Sequence, residues 1–212
     1  MRMRKKKNLE PRMARCADIW VQDPAERREN WLKDRAETVL HLEIGCGKGT
    51  FTVETAAQET DALLVAIERE QNAMVMAMER TLDLEISNIL FIDGDARHLP
   101  ELFAAGEVGR IYINFCDPWP GPRHEKRRLT SPQFLALYKQ ILAPGGEIHF
   151  KTDNRALFDY SLPQFSACGF ATEQVTRDLH ADGTVGVMTD YERKFHEAGV
   201  PICRCVARWE TV

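Results

Sequence analysis

Apolar residues fall along this chain in short blocks of two kinds. Val39-Leu-His-Leu-Glu-Ile44, Leu63-Leu-Val-Ala-Ile67, Ile89-Leu-Phe-Ile92, Arg110-Ile-Tyr-Ile-Asn-Phe115 and Glu147-Ile-His-Phe150 are dense in aliphatic residues. Such runs predict strands buried on both faces. Between them the period lengthens. Thr50 to Gln58 and Gln71 to Leu82 read as helices, the second with Met74, Val75, Met78 and Leu82 at helical spacing, a core stripe. Ser131 to Leu142 reads as a helix capped by Ser131 with Pro132 in its first turn, and Pro144-Gly-Gly146 breaks it. Ala156 to Cys168 is another helix, stopped by Gly169 and open to a kink at Pro163. Ala171 to Thr176 and Ile202 to Trp209 are strands of mixed alternation, with the polar stretch His180 to Gly199 between them. Alternating strands and helices predict an α/β, Rossmann-like fold with a mostly parallel seven-stranded sheet. The last two strands lack a crossover helix, so one of them is expected to run antiparallel.

Residues 1–37 carry no clean period and read as a basic N-terminal arm and helical lead-in, with residues 38–212 as the domain proper. No apolar run reaches the roughly 18 residues of a transmembrane helix, and no apolar segment follows the basic start, which predicts a cytoplasmic protein. The six cysteines form no C-x-x-C and no zinc spacing, so free thiols and no metal are expected, with Cys203 and Cys205 on one strand face. A net charge of −4 argues against a nucleic-acid partner until its distribution is seen. Cations cluster at Arg2 to Lys7 and again at Arg123, His124, Lys126, Arg127 and Arg128, and a local patch matters more than the sum.

Chemistry gathers where strands end. Glu43-Ile-Gly45-Cys-Gly47-Lys-Gly49 closes the first strand and opens a helix. Thr50 stands where a dinucleotide fingerprint needs its third glycine, and Lys48 is followed by glycine where a P-loop needs Ser or Thr. Glu68, Asp95 (beside Ala96), Asp117 and Asp153 each follow a strand. Ligands of open parallel sheets sit beyond these carboxyl ends. A carboxylate after the second strand suits a ribose, and one after the third suits an adenine amino group.

The glycine loop resembles motif I of the class I methyltransferases. It is followed in order by Asn114-Phe-Cys-Asp-Pro-Trp-Pro120, Arg123-His-Glu-Lys-Arg-Arg-Leu129, His149-Phe-Lys-Thr-Asp-Asn154 and Thr189-Asp-Tyr-Glu-Arg-Lys-Phe195. This set closely resembles the bacterial tRNA (guanine-N7)-methyltransferase family. The resemblance implies a class I S-adenosylmethionine-dependent fold, S-adenosyl-L-methionine as cofactor and a variable-loop guanine of tRNA as target. It puts the cofactor on Glu43, Gly45, Gly47, Gly49, Glu68, Asp95, Ala96 and Asp117. The substrate guanosine falls to Asp153, Thr189, Asp190, Tyr191 and Glu192, and RNA contacts to Arg123, His124, Lys126, Arg127 and Arg128. Asp117 matches the catalytic acid. The family's lysine directly after D-P-W-x is replaced here by Gly121.

Guanine N7 has an in-plane lone pair and no proton, so positioning matters more than base catalysis. Asp117 would stabilise the positive charge that the ring gains, or accept from the N1–H and amino edge. Trp119 would stack on a base or pack in its loop. The rivals are a non-catalytic RNA-binding protein retaining the fold, a small-molecule or protein methyltransferase, and an NAD-dependent oxidoreductase. Oligomeric state is left open, as monomer or homodimer.

Overall fold

The computed structural model describes residues 8–210, and the Arg2 to Lys7 arm lies outside them. Seven strands, β1 (Val39–Ile44), β2 (Ala62–Glu68), β3 (Ile89–Asp93), β4 (Val108–Asn114), β5 (Leu142–Thr152), β6 (Phe170–Thr176) and β7 (Cys203–Trp209), form one sheet in the order β3-β2-β1-β4-β5-β7-β6. Strands β1 to β5 pair in parallel, and β7 runs antiparallel to both β5 and β6. Among the described residues seven α-helices accompany them: α1 (Leu9–Arg15), α2 (Thr50–Gln58), α3 (Gln71–Asp83), α4 (Leu99–Leu102), α5 (Pro132–Ile141), α6 (Arg155–Ala167) and α7 (Asp190–Glu197).

Period-two alternation sorts each strand between two cores. Leu40, Leu42, Ile44, Leu63, Val65, Ile67, Ile111 and Ile113 face α4, α5 and α6, where Phe134, Leu135, Tyr138, Phe158 and Phe165 are buried. Leu64, Ala66, Phe91 and Tyr112 face α1, α2 and α3. The lead-in belongs to both layers. Leu9, Met13 and Cys16 join the second core, Trp31 joins the first, and the Trp31 indole N–H donates to the Leu102 carbonyl at 3.0 Å. Ile19 and Val21 hydrogen-bond with Phe91, so this segment extends the β3 edge of the sheet.

Three local expectations need correction. Leu82 is 41% exposed although Met74, Val75 and Met78 are fully buried, because it lies in the last turn of α3, beyond the sheet. Pro144-Gly-Gly146 ends no helix; it lies inside β5, which starts at Leu142 and pairs there with Val108 before the register shifts. A Cβ on Gly146 would sit 2.8 Å from the Ala143 carbonyl oxygen, so glycine is what lets the strand bend there. The His180 to Gly199 stretch holds a helix, α7, whose first turn is closed by a capping box between Thr189 and Glu192. Six free thiols stand in the structure, with Cys203 and Cys205 both buried on one face of β7. No helix among the described residues is long and apolar enough to cross a membrane, and none of their acidic, His and Cys side chains cluster as a metal site would require.

Candidate active site

The sheet order reverses between β1 and β4, and a cavity of about 700 Å³ opens beyond their carboxyl ends. Its floor comes from strand termini: Ile44 and Gly45 after β1, Ile67 and Glu68 after β2, Asp95 and Ala96 after β3, and Asn114 to Asp117 after β4. Trp119, Lys126 and Arg127 form part of its wall.

Glu68 ties the glycine loop to β2. One carboxylate oxygen accepts from the Gly47 amide at 2.9 Å, and the other accepts from the Arg69 and Glu70 amides at 2.8 and 2.9 Å. Carboxylate oxygens offer about four acceptor sites in all, so one is left for a ligand hydroxyl. Gly45 and Gly47 have positive φ, and a Cβ on either would meet nothing within 4 Å, so the space beside the loop is open. Gly49 serves packing instead: a Cβ there would come within 2.5 Å of the Ala77 Cβ, so this glycine lets α2 and α3 approach.

Glu43 lies beneath the cavity rather than on its wall, 2% exposed, and accepts from the Thr52 hydroxyl at 2.6 Å. Burial pushes its carboxyl up to about 7, against the pull of the Thr52 hydrogen bond. Asn114 lies beside it. The Asn114 side-chain amide is close enough to pull the Glu43 carboxyl down, and the residue also lines the cavity. An open glycine loop, carboxylates suited to a ribose and an adenine, and this amide together fit an adenosine-bearing cofactor.

Asp117 is exposed on the cavity wall and makes no side-chain hydrogen bond or ion pair among the described residues. It is bracketed by strain: Phe115 and Trp119 take φ of 52° and 41°, where residues other than glycine are uncommon. Phe115 stacks on Phe195 of α7, with ring centroids 6.0 Å apart. Asp153 is half-buried at the end of β5, near enough that it and Asp117 both act on Cys116, whose thiol burial pushes up to about 12.

The basic segment forms a 3-10 turn over Pro122–Arg127. Arg128 donates to the Trp119 carbonyl at 3.3 Å and lies over the Tyr160 ring, which anchors the turn. Arg127 covers the Trp119 ring at 4.8 Å, and His124 meets its edge. Arg123, Lys126 and Arg127 are exposed and pair with no carboxylate among the described residues. Gly121 enters the turn at φ 89°, ψ 150°, a conformation reserved for glycine, which gives a physical reason for the missing lysine.

The Thr189 to Glu192 segment arrives from the far end of the chain and docks beside the glycine loop, where Asp190 accepts from the Thr50 hydroxyl at 2.8 Å. Glu192 is completely buried. Its oxygens accept from the Lys151 ammonium at 2.8 and 3.1 Å, from His180 Nε2 at 3.0 Å and from the Thr189 amide at 3.2 Å. His180 Nδ1 accepts from the Val185 amide at 3.2 Å, which leaves Nε2 to donate to Glu192. Tyr191 alone of the four projects outward, at 64% exposure. Sequence reasoning did not single out Asn114, Thr52, Lys151 or His180 as site residues. Lys151 carried a signal: a lysine closing an otherwise buried strand requires a buried carboxylate.

The family described as "Putative methyltransferase" matches residues 37–205. The tRNA (guanine-N(7)-)-methyltransferase of Bacillus subtilis (strain 168) is 42% identical over 213 residues, covering 100% of this chain and 100% of that protein. The protein of the same name from Streptococcus suis (strain 05ZYH33) is 42% identical over 212 residues, covering 99% and 100%. Among solved structures, the 16S rRNA methyltransferase KamB is similar with a TM-score of 0.65 over 83% of this chain and 90% of that one. At 16% identity that likeness speaks for the fold alone, which is of the class I methyltransferase kind.

Proposed function

The chain belongs to the tRNA (guanine-N7)-methyltransferase family, and from that premise we infer that it methylates N7 of a guanine in tRNA, with S-adenosylmethionine as methyl donor. The observation that carries this reading is the cavity at the β1–β4 switch point, where cofactor-suited carboxylates, an unpaired Asp117 and unpaired cations line one space.

S-adenosylmethionine supplies an electrophilic methyl group on a sulfonium. Glu68 would hold its ribose, Asp95 and Ala96 its adenine, and Gly45 and Asn114 its remaining polar edge. Glu43 and Gly49 act one layer down, through Thr52 and through helix packing. Guanine N7 already presents its lone pair, so no proton need leave it. Asp117, with no competing partner, stabilises the positive charge that the purine ring acquires, more strongly as the cavity excludes water. Asp153 and Tyr191 remain available to the base, as acceptor and stacking surface. Glu192 is a positioning residue, because its acceptor capacity is spent on Lys151, His180 and Thr189. Arg123, Lys126 and Arg127 hold phosphates without reading sequence, with residues 38–212 as the catalytic domain and a tRNA substrate that places the work in the cytoplasm.

The test is to incubate the protein with unmodified tRNA and isotope-labelled S-adenosylmethionine, digest to nucleosides and separate them. Labelled 7-methylguanosine is expected. Label in any other nucleoside, or in none while the cofactor binds, would overturn the reading in favour of another target or a non-catalytic RNA binder.

A further inference from the structure

We propose that Arg69 and Arg97 form a second phosphate-binding patch for the tRNA backbone, one that becomes available when the adenine of the cofactor engages Asp95. This rests on the function proposed above. Both arginines line the same cavity as Lys126 and Arg127. In strand order they lie on its other side: Arg69 follows β2 and Arg97 follows β3, whereas the basic turn follows β4. A backbone crossing the cavity mouth would meet cations on both banks, and guanidinium groups match phosphate oxygens in pairs.

Asp95 pairs with both arginines of this second bank. Asp95 accepts three hydrogen bonds from Arg97, from its amide, Nε and Nη2, each at 3.0 Å, and Arg69 Nε stands 3.3 Å from the same carboxylate. Burial works to raise the Asp95 carboxyl, but these cations outweigh it and hold it below the usual range. Neither arginine has another carboxylate partner among the described residues. A carboxylate has about four acceptor sites, so an adenine amino group can reach Asp95 only where a guanidinium N–H gives way. Releasing it costs little, because the arginine side chains are 71% and 67% exposed and such pairs are weak. The amide bond from Arg97 stays, so Asp95 keeps its place while the side chains swing out.

Loading the cofactor site therefore leaves the protein's net charge unchanged but frees guanidinium N–H groups to reach phosphate on the RNA face. By reciprocity, tRNA should also tighten the cofactor. S-adenosylhomocysteine is the suitable probe, since it carries the adenosine but no transferable methyl. The experiment measures tRNA affinity over a salt series, with and without saturating S-adenosylhomocysteine, for the wild-type chain and the Arg69→Ala/Arg97→Ala variant.

In the wild type, S-adenosylhomocysteine should tighten tRNA about fivefold and steepen the log–log salt slope by about one to two units. In the double variant the slope change should vanish, while S-adenosylhomocysteine binds at least as tightly as before because its competitor at Asp95 is gone. Arg97→Lys should keep most of the slope change. Equal tightening and equal slopes in wild type and double variant would overturn the proposal, as would weaker S-adenosylhomocysteine binding in a folded double variant. A wild-type chain that binds no tRNA at all would overturn the proposed function as well, which separates the two failures.

Discussion

Asp117 and Glu43 are carboxylates two strands' ends apart in role. Asp117 is exposed and unpartnered, held by a strained turn, while Glu43 is buried against Thr52. Asp117→Asn removes charge without removing any structural bond, so stability should stay within about 0.5 kcal/mol. Turnover should fall at least about tenfold, with tRNA affinity nearly unchanged, if the charge acts on the transition state. Paired single-turnover and binding assays check this. Glu43 makes a prediction about pH. Its carboxyl is pushed up to about 7 in the folded chain, against about 4.3 when unfolded. The folded state therefore retains the proton over that window, and stability is highest below the unfolded value and is lost as pH rises through the folded one. The loss is on the order of 4 kcal/mol at most. Urea unfolding at about pH 5 and about pH 8 should show it in the wild type and show much less of it in Glu43→Gln. A sequence shows Glu43 at a strand end but not its depth. Depth comes from the packing of α2 against the end of β1, where the Thr52 hydroxyl meets the carboxylate.

At the scale of elements, the strands were legible because strands buried on both faces leave unbroken apolar runs, as in Leu63 to Ile67. The antiparallel β7 agrees with the expectation but not with its reason, because helix α7 does lie between β6 and β7. Helix α7 was not legible as an apolar stripe: Tyr191 and Phe195, one turn apart, are its only apolar residues, and only Glu192 is buried. Its capping box, Thr189 to Glu192, was the available signal, and these are the same residues that the family resemblance assigned to the substrate. The long-range partner of Glu192 is Lys151, 41 residues earlier, and no local pattern encodes such a pairing. Burial lowers the Lys151 ammonium from its usual value, while Glu192 works to keep the charge. Removing one member strands the other. Lys151→Met should cost about 3 kcal/mol or more, and adding Glu192→Gln should recover part of that loss instead of adding to it. Denaturant midpoints of the two single variants and the double variant give the coupling directly. Additive losses would show that the two side chains do not depend on each other.

At the scale of the whole molecule, a net charge of −4 hides an uneven surface. Among the described residues only Glu43 and Glu192 are buried acids and many others are exposed, whereas Arg123, Lys126 and Arg127 stand exposed with no carboxylate partner, Lys126 and Arg127 on the cavity wall. Lys126→Ala/Arg127→Ala should weaken all tRNAs alike and flatten the salt slope by about one unit per lost phosphate contact. A change in tRNA preference at constant slope would mean that these residues read bases. The methyl-transfer geometry itself, with Asp117 at the purine and the basic turn on the backbone, is tested most directly by position. Unmodified tRNA is treated with the protein and S-adenosylmethionine, then with borohydride and aniline, which cleave the chain at N7-methylguanosine. Cleavage at a single guanine of the variable loop, absent without the protein and strongly reduced with Asp117→Asn, is the expected result; methylated tRNA that resists cleavage, or is cut at guanines throughout the molecule, would contradict it.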